Sequence, residues 1–132
     1  MAQIGNGVTL RGLEVSSDYV TVNLDPAITE ADEGKALAVD ASGANLFKLA
    51  GDGDIIRGQL YKVERREIEG IIVGTMCTRG WFKLPVAEGD GATYGDSIVG
   101  AGAGLVKKAS AVSANSYVAD VEDGYVIARI VA

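Results

Sequence analysis

The sequence has no histidine, one cysteine and only two prolines among its 132 residues. Without histidine, and with Cys77 as the single thiol, the usual zinc and iron ligand sets are nearly excluded. One cysteine also rules out an intrachain disulfide, which fits a reducing compartment. We therefore expect neither a metal centre nor another bound cofactor.

Aromatic residues are also scarce, at 6%, whereas hydrophobic residues make up 48% of the chain. The core must therefore consist of Val, Ile, Leu and Ala. No apolar run reaches the roughly 18–20 residues that a membrane helix needs, so no membrane partner is expected. The N-terminal stretch "MAQIGNGVTLRG" lacks the charged start and apolar centre of a signal peptide, which predicts synthesis in the cytoplasm.

Positive charge is in short supply, because the formal net charge is −6. Such a surface repels DNA and RNA unless a basic patch offsets it. The basic residues cluster only as the pairs Arg65–Arg66 and Lys107–Lys108. Solvated strand ends explain both pairs, so the composition argues against a nucleic-acid partner.

Glycine, by contrast, is abundant, with 18 residues dispersed among short apolar runs. This pattern is typical of short strands joined by tight turns. Residues Tyr19–Leu24 alternate apolar and polar side chains, as a strand does. Further strand-like segments are Lys35–Val39, Asn45–Leu49, Ile55–Val63, Ile68–Cys77, Trp81–Leu84, Ser97–Val99, Leu105–Ala109, Tyr117–Val121 and Tyr125–Val131. The sequence predicts an all-β fold, a small antiparallel β-barrel or sandwich.

Two parts of the chain are distinguished. Residues 1–24 predict an extended N-terminal arm that ends in the first strand, and residues 25–132 predict a single β-rich domain. Between Asp25 and Ala36 a capping aspartate, a proline and Gly34 indicate at most one short helix. Two similar stretches, "GDIIRG" at 53–58 and "GDSIVG" at 95–100, predict two corners of one barrel.

The stretch "VGAGAGLVKK", residues 99–108, invites comparison with phosphate-binding loops. A dinucleotide fingerprint would need glycine where Leu105 stands, and a P-loop would need Ser or Thr after Lys107. A following helix has no room, since Ser110, Ser113 and Asn115 come almost at once. We therefore predict a glycine hairpin turn between two strands.

No catalytic constellation emerges from the remaining polar residues. Cys77 has no histidine to activate it, and Ser110 near Lys107 and Lys108 lacks anything that would lower a lysine pKa. Weak calcium binding at acidic loops stays open, but none has EF-hand spacing. The candidate carboxylates are Asp52, Asp54, Glu88, Asp90 and Asp96. We expect no enzymatic activity.

The densest aromatic point is Trp81–Phe82. In a strand the two rings face opposite sides, so one can lie in the core. The other then lies at an interface, where tryptophan is favoured, or under the chain's own arm. Both residues are therefore candidates for an oligomer interface.

The order of these elements resembles the head decoration, or capsid cement, proteins of tailed bacteriophages. The resemblance runs from about Tyr19 to the end: "YVTVNLDPAI…ADEGKALAVDASGANLFKLAGDGDIIRGQLYKVE…GIIVGTMCTRGWFKLPVAEG…YGDSIVGAGAGLVKKA…VADVEDGYVIARI". It implies a non-enzymatic protein on the capsid exterior of a virion. It further implies the major capsid protein as partner, a homotrimer, and an N-terminal arm that clamps neighbouring capsid subunits and stabilises the head.

An extended arm can add a strand to an exposed sheet edge of a partner, and many copies on one shell add avidity. Its apolar residues are the candidate capsid contacts: Ile4, Val8, Leu10, Leu13 and Val15. A small-ligand or glycan-binding β domain on a virion surface is the alternative, with a stacking surface drawn from Trp81, Tyr61, Tyr94, Tyr117 and Tyr125. A carboxylate-dependent hydrolase, suggested only by the many acidic residues, is a third hypothesis.

Overall fold

The computed structural model describes residues 9–10, 13–14, 18–66, 71–113 and 115–131. Within these ranges the chain forms twelve strands and one three-residue 3-10 turn, Glu30–Asp32. The strands are β1 Thr9–Leu10, β2 Leu13–Glu14, β3 Tyr19–Leu24, β4 Ala36–Val39, β5 Leu46–Leu49, β6 Gly58–Arg66, β7 Ile71–Cys77, β8 Gly80–Pro85, β9 Ile98–Gly102, β10 Leu105–Lys108, β11 Ser116–Glu122 and β12 Tyr125–Ile130. The fold is all-β, as the alternation and the dispersed glycines predicted.

Strands β3 to β7 form a closed barrel in the order β3-β5-β4-β6-β7. Most neighbours are antiparallel, but β3 and β5 run parallel and close the ring. The closure uses two backbone bonds, from Asn23 N–H to the Asn45 carbonyl at 2.9 Å and from Asp25 N–H to the Phe47 carbonyl at 3.0 Å. Closure removes the exposed strand edges of an open sheet. The predicted first strand at 19–24 is thus part of the barrel.

Strands β8 to β12 and their turns form what we call the second region. It contains a three-stranded antiparallel sheet, β11-β12-β8, and the hairpin β9–β10. The hairpin is hydrogen-bonded to the barrel segment, the part of the chain from β3 to β7. Ala36 N–H donates to the Gly104 carbonyl at 2.9 Å. Gly104 N–H in turn donates to the Ala50 carbonyl at 3.1 Å.

Apolar side chains form two cores. The barrel interior holds Val22, Leu24, Ile28, Leu37, Leu60, Val63 and Met76. The second core lies between the barrel wall and the second region. Strand β4 contributes side chains to both cores. Leu37 faces the barrel interior, whereas its neighbours Ala36 and Ala38 belong to the second core. The period-2 alternation of a strand therefore supplies both cores from one segment.

One tight turn recurs at the Gly-Asp pairs. Gly53, Gly89 and Gly95 have φ of 82°, 80° and 82°, a conformation that favours glycine. The following aspartates, Asp54, Asp90 and Asp96, each donate a backbone N–H to the carbonyl three residues earlier, at 3.1 Å. The turn at Gly89 is a third copy that the two similar hexapeptides did not include.

The prediction that the two hexapeptides are corners of one barrel is wrong in part. The first leads into barrel strand β6, whereas the second leads into β9, outside the barrel. The two stretches nevertheless pair with each other. Gly53 N–H donates to the Gly100 carbonyl and Gly100 N–H to the Asp54 carbonyl, both at 2.8 Å. They join the barrel to the second region.

The glycine stretch forms the predicted hairpin turn. Ala103 and Gly104 both have positive φ, 53° and 79°, which is the signature of a type I′ turn between β9 and β10. Leu105 pairs with Gly102 but Val106 pairs with Gly100, so a bulge follows the turn. Glycine therefore serves the backbone geometry of the turn here.

The predicted short helix between Asp25 and Ala36 is reduced to the 3-10 turn at Glu30–Asp32. The Asp25 carboxylate caps the entry by accepting the Ala27 N–H at 2.8 Å. A longer helix does not form because Ile28, 1% exposed, is drawn into the barrel core. Gly34, with φ of 96°, ends the segment as expected.

Candidate functional site: an aromatic and cationic sheet face

The candidate arm residues fall largely outside the described residues. Ile4, Val8 and Val15 lie there, while Leu10 and Leu13 lie in β1 and β2. These two-residue strands pair antiparallel, with Leu10 opposite Leu13. They form a sheet of their own, separate from the barrel ladder.

Trp81 and Phe82 face opposite sides of β8. Phe82 is 0% exposed and belongs to the second core of its own chain, so its ring offers no surface to a second copy. Trp81 is half-buried on the other side. The alternation of side chains along a strand predicted that the two rings face opposite sides. The structure shows that Phe82 is the ring in the core. Any interface role is therefore left to Trp81.

Trp81 lies in a row of three large side chains across β11, β12 and β8. The sheet register places Arg129 opposite both Tyr117 and Trp81. The Trp81 and Tyr117 rings meet edge to face, with centroids 5.9 Å apart and planes at 89°. The Arg129 guanidinium carbon lies 5.5 Å from the Trp81 ring centroid, within cation–π range. We call the sheet surface that carries this row the outer face.

A second cation–π contact lies further along the outer face. Lys83, two residues after Trp81 on β8, has its Nζ 4.9 Å from the Tyr125 ring centroid. The same ammonium is 3.1 Å from a Glu122 carboxylate oxygen. Long side chains with internal partners lose less freedom when a ligand binds, which favours a preformed surface.

The predicted stacking surface is therefore smaller than the sequence suggested. Tyr117 and Tyr125 lie on the outer face with Trp81, but Tyr61 instead meets Tyr19, with ring centroids 5.2 Å apart. Tyr94, 68% exposed, lies on the turn at 93–96. The structure thus brings together three of the five predicted rings.

An open cavity of about 260 Å³ lies at the end of β12, beside Arg129. Its walls are Asp18, Arg79, Gly80, Arg129 and Val131. Arg79 Nη2 is 2.9 Å from an Asp18 carboxylate oxygen, and both side chains are well exposed. Sequence reasoning missed both arginines. Arg79 follows "CT" in a turn, and only the register of β12 on β8 brings Arg129 beside Trp81.

Four of the five carboxylates considered for calcium serve other contacts. Asp54 accepts the Gly51 N–H at 2.8 Å, and Asp96 accepts the Thr93 N–H at 2.9 Å. Asp90 accepts the Ala92 N–H at 3.1 Å and the Lys108 N–H at 3.0 Å. Asp52 pairs with Lys107. Across the described part of the chain, no three His, Cys, Asp or Glu side chains come close enough to hold a metal ion.

Cys77 has the environment of a structural thiol. It is 1% exposed within the second core, and burial raises its pKa to about 11 despite a hydrogen bond with Tyr19 that lowers it. A thiol with such a pKa is protonated at neutral pH, and the thiolate is the nucleophile. Burial and the raised pKa therefore fit a thiol that packs in the core.

Comparison with known proteins adds no family: no protein-family model matches the chain, and no curated protein matches it. In the described ranges, no helix has the length and apolar character to span a membrane.

Proposed function

We propose that the protein is a structural decoration protein that binds the outside of a phage head and stabilises it. One observation carries the proposal: the barrel closes from Tyr19 onward, so the preceding segment is not needed for closure. Strands β1 and β2 in that segment pair with each other instead of with the barrel. A segment that is not required to close the barrel suits an arm that binds a neighbour.

The charge of the chain supports the same proposal. A net charge of −6 suits the exterior of a shell better than its DNA-filled interior. The resemblance in element order adds the major capsid protein as partner and a homotrimer as the bound form. Light scattering tests the trimer, since its mass must be three times the chain mass of 13.6 kDa.

The test is co-sedimentation with undecorated heads of the phage whose genome encodes the chain. The full chain is compared with a truncation that begins at Asp18. Asp18 must stay, because its carbonyl accepts the Thr78 N–H at 2.8 Å and its carboxylate pairs with Arg79. We expect the truncation to keep its thermal midpoint and to lose binding at least tenfold.

Lys62→Gln is the matched control, because Lys62 is an exposed cation on barrel strand β6. It must bind heads as the wild type does. If the truncation binds as tightly as the full chain, the arm has no role in binding. If the full chain itself does not sediment with heads, the decoration function is wrong.

The outer face favours a second candidate function, a small-ligand or glycan-binding surface on the virion. The Trp81–Tyr117 pair supplies a preformed apolar platform, and Tyr117 is 42% exposed. Ligand sites combine such apolar surface with a few polar groups that fix orientation. On a glycan array we expect reproducible binding that Trp81→Ala abolishes and that Tyr94→Ala, at the exposed turn, leaves unchanged. An array with no binding would remove this candidate.

A further inference from the structure

The cavity beside the outer face has an unusual charge for this protein. Two guanidinium groups, from Arg79 and Arg129, line one small opening in a chain whose net charge is −6. Guanidinium groups bind carboxylates and phosphates through paired N–H donors in a planar fork. The cavity therefore has the chemistry of an anion site.

Among the described residues, Arg129 differs from the half-buried lysines because it has no acidic partner. Lys35, Lys48, Lys83 and Lys107 each pair with a carboxylate. Within the described ranges Arg129 has no carboxylate within 4.0 Å, and its guanidinium instead lies over the Trp81 ring. A cation–π contact uses the charge of the guanidinium and consumes none of its N–H donors, so these donors can bind a ligand.

The charges of the cavity indicate the charge of that ligand. Arg79 and Arg129 contribute two positive charges and Asp18 contributes one negative charge, which leaves one positive charge. A carboxylate neutralises this charge, whereas a phosphate monoester, at about −1.5 to −2, would exceed it. The Asp18–Arg79 pair is exposed, so rearranging it for a ligand costs little.

We propose that this cavity binds the carboxylate of an acidic sugar whose ring rests against the Trp81–Tyr117 platform. The proposal rests on the second candidate function and names its ligand class. Arg129 joins the two parts, because it lines the cavity and contacts the Trp81 ring at once. The apolar Val131 completes the wall of the cavity.

The experiment is an NMR titration of the full chain with three probes: glucuronate, glucose and glucose 6-phosphate. A charge-assisted hydrogen bond contributes roughly a ten- to hundredfold gain in affinity. We therefore expect glucuronate to bind at least tenfold more tightly than glucose, and more tightly than glucose 6-phosphate. Added salt should weaken glucuronate binding and leave glucose binding unchanged.

Two variants test the roles of the cavity residues. Arg129→Gln should remove the preference for glucuronate over glucose, while Lys62→Gln should keep it. Asp18→Asn raises the positive charge of the cavity, so glucose 6-phosphate should gain affinity relative to glucuronate. Because this last variant predicts a gain, loss of folded protein cannot imitate it.

Each remaining outcome overturns part of the argument. Equal affinity for glucuronate and glucose overturns the carboxylate site and leaves the glycan platform standing. Tighter binding of glucose 6-phosphate by the wild type overturns the assignment of a singly charged anion. If none of the three probes binds, the cavity proposal fails, and the glycan array decides the second candidate function separately.

Discussion

The barrel and the second region bury their apolar side chains differently. Among the described residues, the barrel core draws on the segment that forms the barrel, and large aliphatic side chains such as Leu37 and Leu60 fill it. The second core depends on the barrel, which supplies Ala36, Ala38, Ala50, Ile56 and Cys77 as one wall. The barrel is thus a closed unit, and the second region is complete only against it.

The contact between the two regions uses small residues where the barrel interior uses large ones. A Cβ on Gly100 would lie 2.2 Å from the Gly51 carbonyl oxygen, and one on Gly104 would lie 2.7 Å from the Lys35 Cβ. Such distances leave no space for any side chain. The junction therefore depends on close backbone approach, whereas the barrel interior depends on side-chain volume.

The largest expected effect comes from Phe82→Ala, which removes the ring at the centre of the second core. A fully buried Phe truncated to Ala costs about 3–5 kcal/mol of unfolding free energy. Because the barrel forms one wall of this core, we expect a single cooperative transition in urea, shifted to lower concentration. Fluorescence of Trp81 and far-UV circular dichroism should report the same midpoint.

Trp81→Ala is the matched control at the neighbouring position, measured by circular dichroism. Trp81 is half-buried on the outer face, so we expect a loss of about 1 kcal/mol. If Phe82→Ala instead gives two separate transitions, the second region unfolds independently and its dependence on the barrel is wrong.

The next effect concerns the junction. Gly100→Ala places a methyl group against the Gly51 carbonyl and strains the paired bonds between Gly53, Asp54 and Gly100. Overpacking of this kind costs about 1–3 kcal/mol. Gly91→Ala is the control, since a Cβ there meets nothing within 4 Å and should change stability by less than about 0.5 kcal/mol. Equal midpoints in urea for the two variants would refute the close approach.

Local patterns predicted most of the strands, but they predicted pairing partners only for strands that are neighbours in sequence. Alternation and glycine placement indicated the β4–β5, β9–β10 and β11–β12 hairpins, because such pairs are neighbours in sequence. The parallel β3–β5 pair that closes the barrel joins segments more than 20 residues apart. The alternation of side chains along a strand does not indicate which distant strand it pairs with. The sequence therefore could not distinguish a barrel from a sandwich.

The candidate site was also predictable only as far as the local alternation of a strand determines it. Strand period placed Trp81 and Phe82 on opposite faces but could not say which face the barrel would cover. The register of β12 on β8 decides that Arg129 meets Trp81, and this register follows from packing between distant strands. A lone arginine near the C-terminal end of the sequence gave no signal of a site.

The smallest expected effect is a pH-dependent change in stability at Asp32. This residue lies in the chain segment that forms the barrel. Burial opposes ionisation of Asp32, but hydrogen bonds from Thr29 and Lys35 outweigh it and lower its pKa. A lowered pKa in the folded state stabilises the protein above the unfolded value near 3.9, and this stabilisation is lost as pH falls below it. Asp32→Asn should therefore cost about 1 kcal/mol at pH 6, the size of a lost cap.

The difference in unfolding free energy between wild type and Asp32→Asn should begin to shrink near pH 5, where the unfolded carboxylate starts to be protonated. It should keep shrinking as pH falls through the lowered pKa of Asp32 in the folded state. Urea unfolding at several pH values measures it, and Asp123→Asn, at an exposed hairpin turn of the second region, is the control. A difference that stays constant down to pH 3 would mean that the charge of Asp32 contributes nothing.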